Sequence, residues 1–239
     1  MPQEIELKLV ILDNQHQALF DHPTVLHYQD EDSPVTFDVL NTYYDSPNCD
    51  FLKANAAVRV RENQDEILQT IKGKGAVNQG LHARFEETAA LSTPHLDLGL
   101  IQDKDWQKTL SDIAIHTDIQ PVFTTHFSRT RWLMNLDQQT QIELVLDMGE
   151  VCAGEQNLPI YEIELELIKG QKAYALYQIA ADLAQTIPLA LQPRSKAWWG
   201  YKLYHMAQHD QALTETFHYD AQPAAFFMEQ AEKLYRNSA

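Results

Sequence analysis

The stretch EIELK, residues 4–8, puts Glu4, Glu6 and Lys8 on one face of a strand and Ile5 and Leu7 on the other. Strand side chains alternate between two faces, so a period of two separates the charges from the apolar residues. On an ordinary half-buried strand the apolar face packs inward and the charged face meets water. One such strand decides nothing. The pattern returns in YEIELEL, residues 161–167, with Glu162, Glu164 and Glu166 on one face.

The stretches between repeat it with other signs. Arg59 and Arg61 share a face in AAVRVRE (56–62), and Lys72 and Lys74 share one in ILQTIKGK (67–74). Arg84 and Glu86 follow in LHARFEETA (81–89), and Arg129 and Arg131 in PVFTTHFSRTRWLMNL (121–136). Glu143 shares its parity with Asp147 in TQIELVLDMGEV (140–151). Eight of the 18 Lys and Arg residues fall on these strands, an element type usually poor in Lys and Glu. Like charges two apart on one face sit roughly 6–7 Å apart. At an effective dielectric of about 20 each such pair costs on the order of 2–3 kcal/mol unless compensated. Surface decoration would mix the signs. Here the first and last strands are acidic and the third, fourth and sixth are basic. The economical reading points these faces inward, around a wet charged tunnel, with the apolar faces packed outward against helices.

The rest of the chain fits that reading. Strands are expected at 3–12, 35–45 and 159–167 besides those quoted, and GKGAVNQG (73–80) reads as a hairpin-like loop. Helices are expected at 14–22, at 92–113 with Asp103 as an N-cap, at 172–187, at 195–208 with Ser195 as N-cap, and at 224–237. The expected class is α+β, mainly antiparallel β: an eight-stranded closed β-barrel with helices packed outside. Residues 1–208 are expected to form that domain, and 209–239 a helical tail on the barrel or at a dimer interface.

Bulk properties bound the function. A net charge of −16 argues against a nucleic-acid partner, which needs a basic surface. No apolar run reaches the ~18 residues of a membrane span, and no signal-peptide pattern opens the chain, so a cytoplasmic location is expected. Cys49 and Cys152 read as free thiols, and the histidines lack metal-ligand spacing. Gly73 and Gly75 beside the lysines do not complete a P-loop. Strands bearing carboxylates at period two offer hard oxygen ligands to Mg²⁺ or Mn²⁺. Paired Arg and Lys offer forks and point charges to phosphate oxygens. Both around one cavity imply a ligand with several phosphates.

With E-x-E-x-K (Glu4, Glu6, Lys8), YYDSP (43–47), R-x-R (59, 61), K-x-K (72, 74), R-x-E (84, 86), E-x-x-x-D (143, 147), E-x-E-x-E (162–166) and SKAWWGY (195–201) in order, residues 3–205 resemble the CYTH, or triphosphate tunnel metalloenzyme, superfamily. QEIELKL (3–9), QGLHARFEE (79–87) and LDMGEV (146–151) look closest to its bacterial inorganic triphosphatase branch. Some members of that branch carry a long C-terminal His-rich helical domain, and functions resting on one are not expected of residues 206–239.

The resemblance implies a metal-dependent hydrolase that cleaves inorganic triphosphate to pyrophosphate and phosphate. It matches Glu4, Glu6, Asp147, Glu162, Glu164 and Glu166 to metal ligands. It matches Arg59, Arg61, Lys72, Arg129 and Lys196 to phosphate ligands, with Lys8, Lys74, Arg84 and Arg131 fitting the same role. Glu4, Glu6, Lys8, Arg59 and Arg61 form the expected catalytic set. Thiamine triphosphate, a nucleoside triphosphate, a class IV adenylyl cyclase reaction or a polyphosphate-binding module are the alternatives on the same scaffold. A homodimer is compatible with all of them.

Overall fold

The computed structural model describes residues 3–64, 66–211 and 218–238. Its strands are β1 (Gln3–Ile11), β2 (Val35–Asp45), β3 (Ala57–Glu62), β4 (Ile67–Asn78), β5 (Leu81–Leu91), β6 (Gln120–Asn135), β7 (Gln141–Ala153), β8 (Gln156–Lys169) and the short β9 (Leu189–Leu191). They run in the order β5-β4-β3-β2-β6-β7-β8-β1, and a β5–β1 pairing closes the ring into an eight-stranded antiparallel barrel. Closure leaves no open edge within the ring. β1 is shared along its length: residues 3–7 pair with β5, and β9 takes over the same edge at 9–11.

Register brings the charged positions side by side. Glu4 lies opposite Arg84, Glu6 opposite Glu166, and Lys8 opposite Glu164. Arg129 lies opposite Asp147, which lies opposite Glu162. The other parity packs outward. Leu7, Leu9, Ile142, Leu144, Leu146, Ile163 and Leu165 are fully buried beneath α4 (Tyr174–Leu183) and α6 (Ala224–Ser238). Burying each such side chain contributes about 1.5–3 kcal/mol. α3 (Lys104–His116) covers β3 and β4 through Val58, Ile71 and Leu110. The short helices α1 (Pro23–Tyr28) and α2 (Asp50–Lys53) flank β2. Among the described residues no helix is long and apolar enough to cross a membrane.

α5 (Lys196–Gln208) sits differently from the other helices. Trp199, Tyr201, Leu203 and Tyr204 pack on Tyr43, Phe123, Phe127, Val151 and Ile160. Those barrel residues share the parity of Tyr43, Arg129, Asp147 and Glu162, so α5 closes one end of the barrel against its inward face. The fit is tight: a Cβ on Gly200 would lie 2.0 Å from the Phe123 ring. Ser195 caps the helix, its Oγ accepting from the Trp198 amide at 3.1 Å, as expected from the sequence.

Four local expectations change. The helix expected at 14–22 is a short 3-10 turn, Gln15–Leu19, followed by α1. Residues 73–78 are strand, not loop: the turn is Gln79–Gly80 alone, both at positive φ, the geometry of a two-residue hairpin. One extra residue between Lys72 and Gly75 makes a bulge, so Lys72 and Lys74 do not continue a simple alternation. Glycine suits the bulge because a Cβ on Gly75 would meet Arg84 Cβ at 2.3 Å and one on Gly73 would meet Trp106 at 2.6 Å. Finally, the helix expected at 92–113 begins only at Lys104, with Asp103 capping the Asp105 and Trp106 amides at 3.1 Å. The preceding segment is held by Gln69, which donates to the Asp97 carbonyl at 2.6 Å and accepts from its amide at 2.9 Å.

Candidate functional site

The inward faces surround one polar cavity of about 710 Å³, mouth included. Glu4, Lys8, Arg59, Arg61, Lys72, Arg84, Arg129, Glu164, Glu166 and Lys196 line it. Glu6, Asp147 and Glu162 lie just behind the wall, at 1%, 0% and 4% exposure. Arg131 stands apart on the rim, nearly half exposed and 3.8 Å from Glu143. The Lys74 side chain lies outside the described residues.

The acidic side is already compensated. Arg129 grips Asp147 with Nε at 2.8 Å and Nη2 at 2.7 Å, and Nη2 also donates to Glu164 at 3.1 Å. Lys196, the first residue of α5, has its Nζ 2.7 Å from Asp147, 3.0 Å from Glu164 and in contact with Glu162. Lys8 bridges Glu164 and Glu6. Glu4 accepts from Lys72 at 2.6 Å and from Arg84 at 2.7 Å, and Arg84 also donates to Glu6 at 2.7 Å. Burial opposes ionisation of Asp147 and Glu164, but the cations outweigh it and hold both below the usual carboxylate range.

Two groups of residues escape this pairing. Arg59 and Arg61 share a wall, and among the described residues neither has a carboxylate at ion-pair distance. Arg59 is 8% exposed, its Nη1 is 3.4 Å from the Tyr43 hydroxyl, and its Nε has no partner among the described residues. Arg61 Nε donates to Asn41 Oδ1 at 2.9 Å. Burial, then Arg59 and Arg129, push Arg61 down to about 9, the signature of cations crowded without an anion. Across the cavity Glu166 forms no ion pair among the described residues. Burial, with Glu4 next, pushes it up to about 8.

A divalent cation fits one place well. Asp147, Glu162 and Glu164 each offer a carboxylate oxygen, all within 4.8 Å of one another. An all-oxygen, multiply anionic donor set suits Mg²⁺ or Mn²⁺. Of the other carboxylates expected as ligands, Glu4 and Glu6 are engaged by Arg84, and Glu166 stands opposite Glu6.

Tyr43, Asn41 and the α5 terminus at Ser195 and Ala197 also belong to the site; Asn41 was not singled out, and the others, although within YYDSP and SKAWWGY, were given no ligand role. Their side chains carry no charge, so a scan for like-charged strand faces passes over them. Asn41 and Tyr43 do share a parity in NTYYD (41–45), which is the signal that could have found them.

Comparison with known proteins agrees with this geometry. A CYTH domain model matches residues 2–197. An inorganic triphosphatase of Haemophilus influenzae is 33% identical over 223 residues, covering 85% of this chain and 55% of that protein. The chain thus spans about half the length of the curated relative it matches. Among solved structures, a Hippeastrum protein described as an adenylyl cyclase with a dominant triphosphatase activity superposes with a TM-score of 0.57. It is 17% identical, over 90% of this chain and 100% of that one, which bears on the fold alone.

Proposed function

Because the chain belongs to the CYTH domain family, we propose that its barrel hydrolyses inorganic triphosphate to pyrophosphate and phosphate, assisted by Mg²⁺ or Mn²⁺. The observation that carries this reading is the unpaired Arg59–Arg61 wall facing a carboxylate cluster across one cavity. Buried like charges without a partner are expensive, and a polyanion supplies the missing charge. The likeness to an inorganic triphosphatase supports the same reaction.

Arg59 and Arg61 are the primary phosphate ligands, each presenting a planar donor fork. Lys72 and Arg84, on the neighbouring strands, reach phosphate from the Glu4 side while keeping their ion pairs. Lys8 and Arg129 hold the carboxylates in place and face the same cavity. Asp147, Glu162 and Glu164 would hold the cation, which when bound neutralises phosphate oxygens and acidifies the attacking water. The bases stabilise charge on the transferred and leaving phosphates, so no side-chain nucleophile is needed.

The cavity wall also favours an inorganic substrate. Among the described residues Tyr43 is the only aromatic one lining it, and Tyr43 is stacked on Phe123 at 4.3 Å. Trp198 lines a neighbouring pocket, with Arg194 over its ring at 4.0 Å and Lys202 at 5.2 Å. Among the described residues nothing in the cavity offers a free ring face to a thiamine or a nucleobase. Product analysis by phosphorus NMR tests the reaction. Equal amounts of phosphate and pyrophosphate from triphosphate are expected, and release of neither would overturn the reading.

A further inference from the structure

Lys196 is expected as a phosphate ligand, yet its ammonium is held by carboxylates. Its ammonium contacts all three carboxylates of the Asp147–Glu162–Glu164 cluster, at 2.7 Å from Asp147 and 3.0 Å from Glu164. It is the only cation among the described residues at ion-pair distance from Glu162. The same three carboxylates form the set that fits a divalent cation. Among the described residues only Lys196 contacts all three carboxylates, so its ammonium occupies the place that a divalent ion shared by the three would take, and like charges a few ångströms apart repel strongly.

We propose that Lys196 competes with the divalent cation for the Asp147–Glu162–Glu164 oxygens, and that the cation, on binding, releases the ammonium into the cavity as a phosphate ligand. The proposal rests on the metal and phosphate roles given above and adds an order to them. Three features make the exchange feasible. Lysine carries a compact charge on a flexible four-carbon stem, so its head moves while its backbone stays. That backbone is fixed, since Ser195 caps α5 and Gly200 seats it against Phe123. Lys196 already lines the cavity that Arg59 and Arg61 face. Arg129, by contrast, is locked in its fork on Asp147 and keeps that carboxylate oriented through the exchange. Cation and triphosphate then bind cooperatively through one side chain, and linkage makes the effect reciprocal.

The test is a calorimetric titration of the full chain with Mg²⁺ alone, at about pH 8, for the wild type and Lys196→Met. Removing the competing charge is expected to tighten Mg²⁺ by about tenfold or more. Equal or weaker Mg²⁺ affinity in the variant would overturn the proposal. Lys196→Gln gives the same readout if the methionine variant fails to fold, and Lys196→Arg, which keeps the charge, is expected to show no tightening. A second arm uses a non-hydrolysable imido analogue of triphosphate. Lys196→Met is expected to lose about tenfold in affinity for it with Mg²⁺ present and little without. Equal losses in both conditions would also refute the exchange. Neither arm needs turnover, so a protein that fails to hydrolyse triphosphate but shows the Mg²⁺ effect would separate the two claims.

Discussion

Arg129 holds Asp147 in a two-pronged bond across the β6–β7 pair, Nε to Oδ1 at 2.8 Å and Nη2 to Oδ2 at 2.7 Å. Asp147 is fully buried and Arg129 is 8% exposed. Losing one partner of a buried pair costs about 3–5 kcal/mol when the other is left alone, and Lys196, 2.7 Å from Asp147, keeps the loss of Arg129 to the lower end of that range. Arg129→Ala is therefore expected to lower unfolding free energy by that order, and Arg129→Ala/Asp147→Asn to recover much of it. Urea denaturation of the single and double variants measures both. Additive losses in the double variant would show that the fork is not the stabilising element.

The inward charged faces that carry Arg129 and Asp147 were legible in the sequence, because period-two charges of one sign on apolar-backed strands are tolerable chiefly around a shared polar interior; the pairing of the two residues with each other was not. Closure followed from the same faces, since Glu4, Arg59, Arg129 and Glu162 all point inward only if the sheet closes on itself, but the order of the strands around the ring did not. The bulge at Gly73 and Gly75 was not legible, since its cause is contact with Trp106 and Arg84 from other elements. The closing role of α5 was equally hidden. Its apolar residues meet Phe123 and Phe127, which sit on the same alternating face as Arg129, and only tertiary packing distinguishes the two ends of that face. The sorting of bases into engaged and free was beyond reach too, because Arg59 and Lys72 look alike as letters and differ only in their neighbours.

Arg59 and Arg61 lack carboxylate partners among the described residues, so removing them relieves repulsion and, on the proposed function, deletes phosphate contacts. Arg59→Ala and Arg61→Ala are each expected to raise the KM for triphosphate by about tenfold or more, as hydrogen bonds to charged groups contribute ~1.5–3 kcal/mol. The melting temperature without ligand is expected to hold or rise. Steady-state kinetics beside thermal melts checks both halves. A large drop in stability with unchanged KM would assign these residues to the scaffold instead.

Glu166 gives a pH signature. Its folded value of about 8 lies above the 4.5 of the free side chain, so the folded protein keeps a proton that the unfolded chain has lost. The Glu166 contribution to stability is therefore undiminished at low pH, falls as pH rises from about 4.5 to about 8, and levels off above. Glu166→Gln removes this loss. Each pKa unit is worth ~1.4 kcal/mol, so the variant is expected to gain on the order of a few kcal/mol over the wild type near pH 8.5 and little near pH 5. Denaturant titrations at the two pH values, without ligand, test this. An equal difference at both would show that Glu166 titrates normally.

Gly200 has no room for a side chain: a Cβ there would stand 2.0 Å from the Phe123 ring, and Phe123 is itself wedged between Tyr43 and Tyr201. Gly200→Ala is expected to destabilise by about 1–3 kcal/mol through overpacking. It also shifts α5, and Lys196 with it, so activity is expected to fall further than stability alone explains. Turnover measured well below the melting temperature separates the two effects. Full activity there would mean that the seating of α5 does not govern the site.

The most direct test of the account is phosphate release from inorganic triphosphate, ATP and thiamine triphosphate side by side, with Mg²⁺ and with Mg²⁺ removed by chelation. Rapid release from the inorganic compound alone, abolished by the chelator, is the predicted result. Preference for ATP or thiamine triphosphate, or release that survives chelation, would contradict it.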